Sequence, residues 1–473
     1  MDKSYTDCSA VDLAAMVRTG ATTPLALIDA AQAAAEQVNP RINAVIQTDW
    51  DGARAIAEQG AVTGPFAGVP ILIKETAAEQ GKRWTFGSRG CAGNVAPMTD
   101  GYVKRLLDLG FIPVGRTNVP ELGLMDVTEP LLFGPARNPW NTDHTPGGSS
   151  GGASAAVAAG IVPFAHGNDG GGSLRAPASH TGLFTLKPTR RRLNVPYLAV
   201  GAPDWLPELV GTLGLSRHVR DIATVLEHIE PDPACRLNFD GIVHAPLTRA
   251  DSLRIGVTLT GLDGAEPDPE VAKAVSDMAA LCADLGFSVQ SLDWPFDAPR
   301  FHEAFFDMWQ LRTIDTIREY EALTGRTAGP QDLEPFTFGL ADGARGLPET
   351  AEANIRAVFG ATFAAMTDFF DGFDVLLTPV TAFPPVKIGH HDPALPFETL
   401  FPRVKRNVVF TPLSNAYGNP SMSVPAGLTD AGLPVGAMFS AAAGRDGMLI
   451  RLAYALEQAA PWAHRRPPVF ASV

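Results

Sequence analysis

Between Pro146 and Ser179 the chain reads PGGSSGGASAAVAAGIVPFAHGNDGGGSLRAPAS, which places Ser149 and Ser173 in glycine settings on either side of an Ala-rich helical segment. Glycine lets the backbone pass through positive φ and lets another group approach closely, so a serine among glycines can present its hydroxyl and neighbouring N–H groups to a ligand. Two such serines close in sequence point to one site. A serine hydroxyl is a poor nucleophile until a base takes its proton, so the chain must also supply that base.

Histidine and lysine are both open as that base. GGSSG has the G-x-S-x-G form of a nucleophile elbow, but that turn needs a strand directly before it, and Asn141–Pro146 is turn material. His390, His391 and His464 lie late enough to serve an elbow serine, yet each reads as a surface residue. Lysine, with a reference pKa of about 10.4, becomes a base near neutrality only when burial disfavours its charged form. Lys74 ends the run Gly68-Val-Pro-Ile-Leu-Ile, the signature of a strand covered on both faces, so it sits where a buried strand exits. The plainer reading of such a lysine is a strand end reaching solvent. Lys187, after Phe-Thr-Leu, has no glycine-serine site joined to it and reads as structural.

Gly170, Gly171 and Gly172 lack both the P-loop and the G-x-G-x-x-G patterns, which argues against nucleotide binding. Their N–H groups are suited instead to converge on a developing oxyanion, where each donor is worth about 3 to 4 kcal/mol. A tight turn between elements is the plain alternative.

Apolar patterning predicts an α/β protein. A helical lead-in broken near Gly20–Pro24 precedes buried strands ending at Lys74 and in FIPVGRTN, and Ile161–Ala165 and Gly182–Leu186 read as two more. LRIGVTL, a helix carrying Val271 and Val275, and GFSVQSL repeat the alternation, and DVLLTPV, SMSVPAG and PVGAMFS are late strands. Residues 300–370 turn helical and aromatic, with Phe301, Phe305, Phe306 and Trp309 as core, pocket wall or both. The 473 residues show no internal repeat and no linker, which favours one large domain.

A net charge of −14 and no long basic block argue against nucleic acid or an anionic membrane as partner. The N-terminus carries acidic residues where a signal peptide needs an apolar stretch, and no run of about 18 or more apolar residues occurs, so the expected location is cytoplasmic. Cys8, Cys91, Cys235 and Cys282 show no metal or disulfide spacing and read as buried thiols.

The combination GVPILIKE, GGSSGG and GNDGGGSLRAPAS resembles the amidase signature family, and RTNVPELG, TEPLLFGPARNPWN, LKPTR, DVLLTP and NPSMSVPAGLTDAGLPVG extend the likeness over most of the chain. The resemblance implies one domain over residues 1–473, with a central mixed, twisted sheet flanked by helices on both faces. Within it, 1–60 would be the lead-in, 61–215 the catalytic core and about 300–370 a helical substrate-shaping insertion. It also implies a Ser–cisSer–Lys triad: Ser173 as nucleophile, Ser149 as bridging serine on a cis peptide, and Lys74 as base. Gly170, Gly171, Gly172 and Ser173 would supply the oxyanion hole, and main chain from Gly123 to Met125 would line the substrate's path.

Asn168 stands where the family more often has Thr or Ser, and Gly170 adds a third glycine. Both features resemble the branch containing aminohexanoate cyclic-dimer hydrolases, aryl acylamidases and urethanases. RRRLNVP after LKPT, and the acidic charge, depart from the tRNA-linked glutamine amidotransferase subunit. The expected activity is cofactor-free and metal-free hydrolysis of amide, anilide or carbamate C–N bonds in small, largely uncharged molecules, by a monomer or homodimer. The loop Arg190–Pro207, with Tyr197, Leu198 and Trp205, is expected to cover the site, and Arg192 to contact ligand. The competing readings are an esterase with a Ser–His–Asp triad and a non-catalytic binding protein on the same fold.

Overall fold

The computed structural model describes residues 4–60, 62–193 and 208–473. Its sheet is built from β1 (Val45–Thr48), β2 (Pro70–Lys74), β3 (Ile112–Thr117), β4 (Phe164–Asp169), β5 (Phe184–Lys187), β6 (Gly211–Ser216), β7 (Arg254–Val257), β8 (Ser288–Ser291), β9 (Val375–Pro379), β10 (Ser421–Leu428) and β11 (Pro434–Ala441). Among the described residues these form one 11-stranded sheet in the order β1-β3-β2-β4-β6-β5-β10-β11-β9-β7-β8. β2 runs parallel to β3 and β4, and β7 runs parallel to β8 and β9. The centre, from β4 through β6, β5, β10 and β11 to β9, is antiparallel, so the sheet is mixed.

Successive strand residues face opposite sides, so a strand buried at every position is covered on both faces. β2, β3, β9 and β11 are buried throughout, and helices therefore cover both sides of the sheet. One core joins Leu72, Val114, Phe164, Phe184 and Phe439, and a second gathers Phe301, Phe305, Phe306, Phe336 and Phe359 around the helices Ala298–Thr324, Pro335–Arg345 and Ala351–Gly372.

The break in the lead-in has a local cause. The helix Ala10–Arg18 opens on a capping box between Ser9 and Asp12, and the helix Pro24–Ile42 restarts at Pro24 after Thr23, whose hydroxyl accepts from the Ala26 N–H at 3.1 Å.

One expected strand is displaced. Ile161–Ala165 reads as a strand from its apolar content, but the Ile161 N–H is taken by Ala156 O at the end of the helix Gly151–Ala158, and Pro163 has no N–H to give. Pairing therefore begins at Phe164 and runs into Gly167-Asn168-Asp169, carrying the sheet into the glycine stretch. No helix of the described residues is long and apolar enough to cross a membrane.

Candidate active site

β2 and β4 are parallel neighbours paired at Leu72 and Ala165, so their C-terminal ends lie side by side. The site forms there, where open α/β sheets generally place ligands. Lys74 closes β2, fully buried, with its backbone N–H donating to His166 Nδ1 at 3.2 Å. Its Nζ lies 2.8 Å from Ser149 Oγ, 2.8 Å from Ser150 Oγ and 2.5 Å from Asn168 Oδ1. Burial lowers the ammonium's pKa to about 7, and the Asp169 carboxylate offsets part of that shift.

Ser149 is 2 % exposed and follows Gly148 through a cis peptide bond. A Cβ on Gly148 would lie 2.5 Å from Val127 O, so only glycine fits there. Ser173 is half-buried, between β4 and the helix Arg175–Thr181, and its carbonyl accepts from the Ser150 N–H at 3.2 Å, tying the two serine loops together.

The glycine turn between β4 and Ser173 is fixed from beneath by Asp169. Its carboxylate accepts from the Gly172 N–H at 2.7 Å and meets the fully buried Arg175 guanidinium through two bonds of 2.9 Å. Asn415 Nδ2 adds bonds to the Asp169 carbonyl and carboxylate at 2.8 and 2.9 Å. Arg175 and these hydrogen bonds outweigh burial and hold the Asp169 carboxyl well below the usual carboxylate range. Gly172 has φ +133°, and a Cβ there would meet Thr411 Oγ1 at 2.4 Å. Thr411 in turn donates to Gly171 O at 2.5 Å.

Ser173, Gly171, Gly172 and Gly148 face an apolar cavity of about 580 Å³, part of it open to solvent. Phe305, Phe306, Trp309, Phe336, Phe401 and Met125 supply much of its wall. The aromatic stretch therefore serves as both core and wall, with Phe301 in the core and Phe305, Phe306 and Trp309 at the cavity.

Of the residues expected at the site, the fold brings together Lys74, Ser149, Ser173, Gly171, Gly172, Gly123 and Met125. Gly123, at φ +71°, is so close to Ser149 that a Cβ would lie 3.4 Å from its Oγ. Gly170 is not among the cavity-lining residues and the Gly172 N–H is engaged by Asp169, whereas Gly171 and Ser173 line the cavity. Arg192 is placed elsewhere. Its guanidinium donates to Ile229 O and Leu226 O, both at 3.0 Å, at the end of the helix Val219–His228, and stacks on Phe239. Unpaired carbonyls at a helix C-terminus are a strong attractor for a nearby cation. Tyr197, Leu198 and Trp205 lie outside the described residues.

Lys187 is buried and donates to Pro188 O at 2.8 Å, and burial followed by the Arg175 charge lowers its pKa to about 7. His390 and His464 are exposed. His391, read as a surface residue, is buried instead, 3.0 Å from Asp126 Oδ1, and Asp126 Oδ2 accepts from Asn407 Nδ2 at 2.7 Å. Asp126 and Asn407 line the cavity, whereas His391 does not. Two direct contacts of Lys74, Ser150 and Asn168, were not singled out from the sequence as its partners. The signal for Ser150 is its place beside Ser149, and for Asn168 its place at the end of the strand next to β2.

The sequence profile described as Amidase matches residues 26–450. A 6-aminohexanoate-cyclic-dimer hydrolase of Paenarthrobacter ureafaciens is 35% identical over 494 residues, covering 96% of this chain and 95% of that protein. The solved structure of a 6-aminohexanoate cyclic dimer hydrolase complexed with substrate superposes with a TM-score of 0.88 at 32% identity, covering 98% of this chain and 100% of the other. A bacterial aryl acylamidase of the amidase signature enzymes superposes with a TM-score of 0.82 at 28% identity, covering 96% and 97%.

Proposed function

We propose, starting from the fact that this chain belongs to the amidase family, that it hydrolyses amide, anilide or carbamate C–N bonds of small, largely uncharged molecules through an acyl-enzyme on Ser173. The observation that carries this reading is the buried Lys74 Nζ within 2.8 Å of Ser149 Oγ, beside a cavity that Ser173 faces. Amide hydrolysis needs a group that removes a proton from the nucleophile and a group that returns one to the nitrogen, because an amine anion is a very poor leaving group.

In this reading neutral Lys74 takes the Ser149 proton as Ser149 takes the Ser173 proton, and Ser173 Oγ attacks the carbonyl carbon. The carbonyl oxygen becomes an oxyanion that accepts from the N–H groups of Gly171 and Ser173. As the C–N bond breaks, Ser149 gives a proton to the leaving nitrogen and Lys74 returns one to Ser149. Water then adds to the acyl carbon, giving up its proton along the same path, and Ser173 leaves with that proton restored.

The aromatic wall supports a flat or alkyl acyl or amine group, and the names of the cyclic-dimer hydrolase and the aryl acylamidase point the same way. The experiment is incubation with p-nitroacetanilide, an aliphatic amide, a cyclic diamide and an aryl carbamate, with products identified by mass spectrometry. Turnover of at least one by the wild type and its loss in Ser173→Ala supports the reading. Unchanged turnover in Ser173→Ala overturns it.

A further inference from the structure

Three groups surround the Lys74 nitrogen, and a neutral amine has two N–H bonds and one lone pair with which to meet them. Ser150 Oγ donates its own proton to the Asn168 carbonyl oxygen at 3.2 Å, so towards Lys74 it is an acceptor. Asn168 anchors its amide nitrogen on Thr76 Oγ1 at 3.0 Å, which turns its Oδ1 to Lys74 at 2.5 Å, and an amide oxygen can only accept. Both N–H bonds of the amine are then taken, by Ser150 and Asn168. The remaining direction, towards Ser149 at 2.8 Å, holds the lone pair.

We infer that Asn168 is a positioning residue, which fixes the rotation of the Lys74 amine so that its lone pair meets the Ser149 proton. The inference rests on the reading of Lys74 as the base and adds to it the group that aims it. Asn168 is half-buried at the end of β4 and makes both its contacts with residues of the β2 segment, so it acts on the site without joining the cavity wall.

The charged and titratable groups around Lys74 are few. Asp169 raises its pKa and is itself neutralised by Arg175. His166, beneath it on β4, is held neutral chiefly by burial. Glu75, next in sequence, is paired with Arg116 at 3.0 Å. Asn168 is therefore a neutral acceptor in a setting where one added charge would dominate.

The test is the rate at which a fluorophosphonate labels Ser173 between pH 5 and 10, in the wild type, Asn168→Asp, Asn168→Leu, Asn168→Thr and Lys74→Met. An aspartate keeps the acceptor but adds a negative charge next to the amine, so its acid limb is expected to move up by about one pH unit or more. Leucine removes the acceptor that favours the ammonium, so its limb is expected to move down while the plateau falls about tenfold or more. Threonine, which restores an oxygen, should recover part of the plateau.

A merely structural role would lower the plateau in Asn168→Leu and Asn168→Thr alike and leave the limb of both where it is, whatever the added charge does in Asn168→Asp. That pattern, with Lys74→Met inactive, overturns the role of Asn168 and spares Lys74 as base. Full-rate labelling in Lys74→Met overturns the reading beneath it.

Discussion

At the scale of single residues, the chemistry turns on an amine whose surroundings disfavour its charge. With a pKa lowered to about 7, Lys74 is neutral and able to accept a proton above that pH and charged below it, so kcat/KM is expected to fall as the pH drops through about 7. Lys74→Met should lose about 10² to 10⁴ in kcat/KM on p-nitroacetanilide, the range of a single general base, and an unchanged rate would contradict the assignment. Much of this was open to inspection in the sequence. Five apolar residues before Lys74 suffice to expect a buried amine, and glycines around Ser149 and Ser173 to expect closely approached loops. Arg192 shows the opposite case: nothing in RRR says which guanidinium faces a ligand, and the answer lies in a helix end that sequence does not place beside it. His391 likewise gains its burial from Asp126, a residue far away in the chain.

At the scale of elements, the helices Ala298–Thr324 and Pro335–Arg345 deliver the aromatic wall, and one side chain can be tested without touching the serines. The Trp309 ring lies against Gly171, where a Cβ would meet it at 3.4 Å. Trp309→Ala should raise KM for an anilide about tenfold while moving kcat less, since it removes apolar contact made equally by substrate and transition state. A fall in kcat at constant KM would assign Trp309 a different role.

Helix Pro335–Arg345 begins beside two buried carboxyls. Glu121 accepts from the Glu334 N–H at 2.6 Å and from Thr337 at 2.8 Å, while Glu334 accepts from the Leu131 N–H at 2.7 Å. Burial, reinforced by the Glu121 charge, pushes the Glu334 carboxyl above the usual range. A carboxyl raised in the folded state contributes stability at low pH that is lost as the pH rises from its unfolded value through its folded one. Glu334→Gln should therefore gain on the wild type in urea between pH 5 and 9, and a gap that stays constant over that range would refute the shift.

At the scale of the whole molecule, the mixed sheet was legible wherever a strand is apolar on both faces, as in β2, β3 and β9. It was not legible in β1 and β6, which are partly exposed, nor in the three-residue displacement of β4, which Pro163 and a helix end decide. Asp169 ties the layers together. Its partner Arg175 also donates to Thr411 O at 3.0 Å and to Asn415 Oδ1 at 2.6 Å, so one buried ion pair joins β4, the glycine turn, the helix Arg175–Thr181 and the helix Pro412–Tyr417. Asp169→Asn leaves that guanidinium without its counter-charge and should cost about 3 to 5 kcal/mol in urea unfolding. An unaltered midpoint would show that the pair does not hold the layers.

The claim on which the mechanism depends is that Lys74 is a neutral amine at working pH. The direct measurement is NMR of protein carrying ¹³Cε-labelled lysine, with the Lys74 signal assigned by its absence in Lys74→Met and followed from pH 5 to 11. This signal is expected to titrate near pH 7, and a Lys74 that remains an ammonium up to pH 10 would contradict that claim.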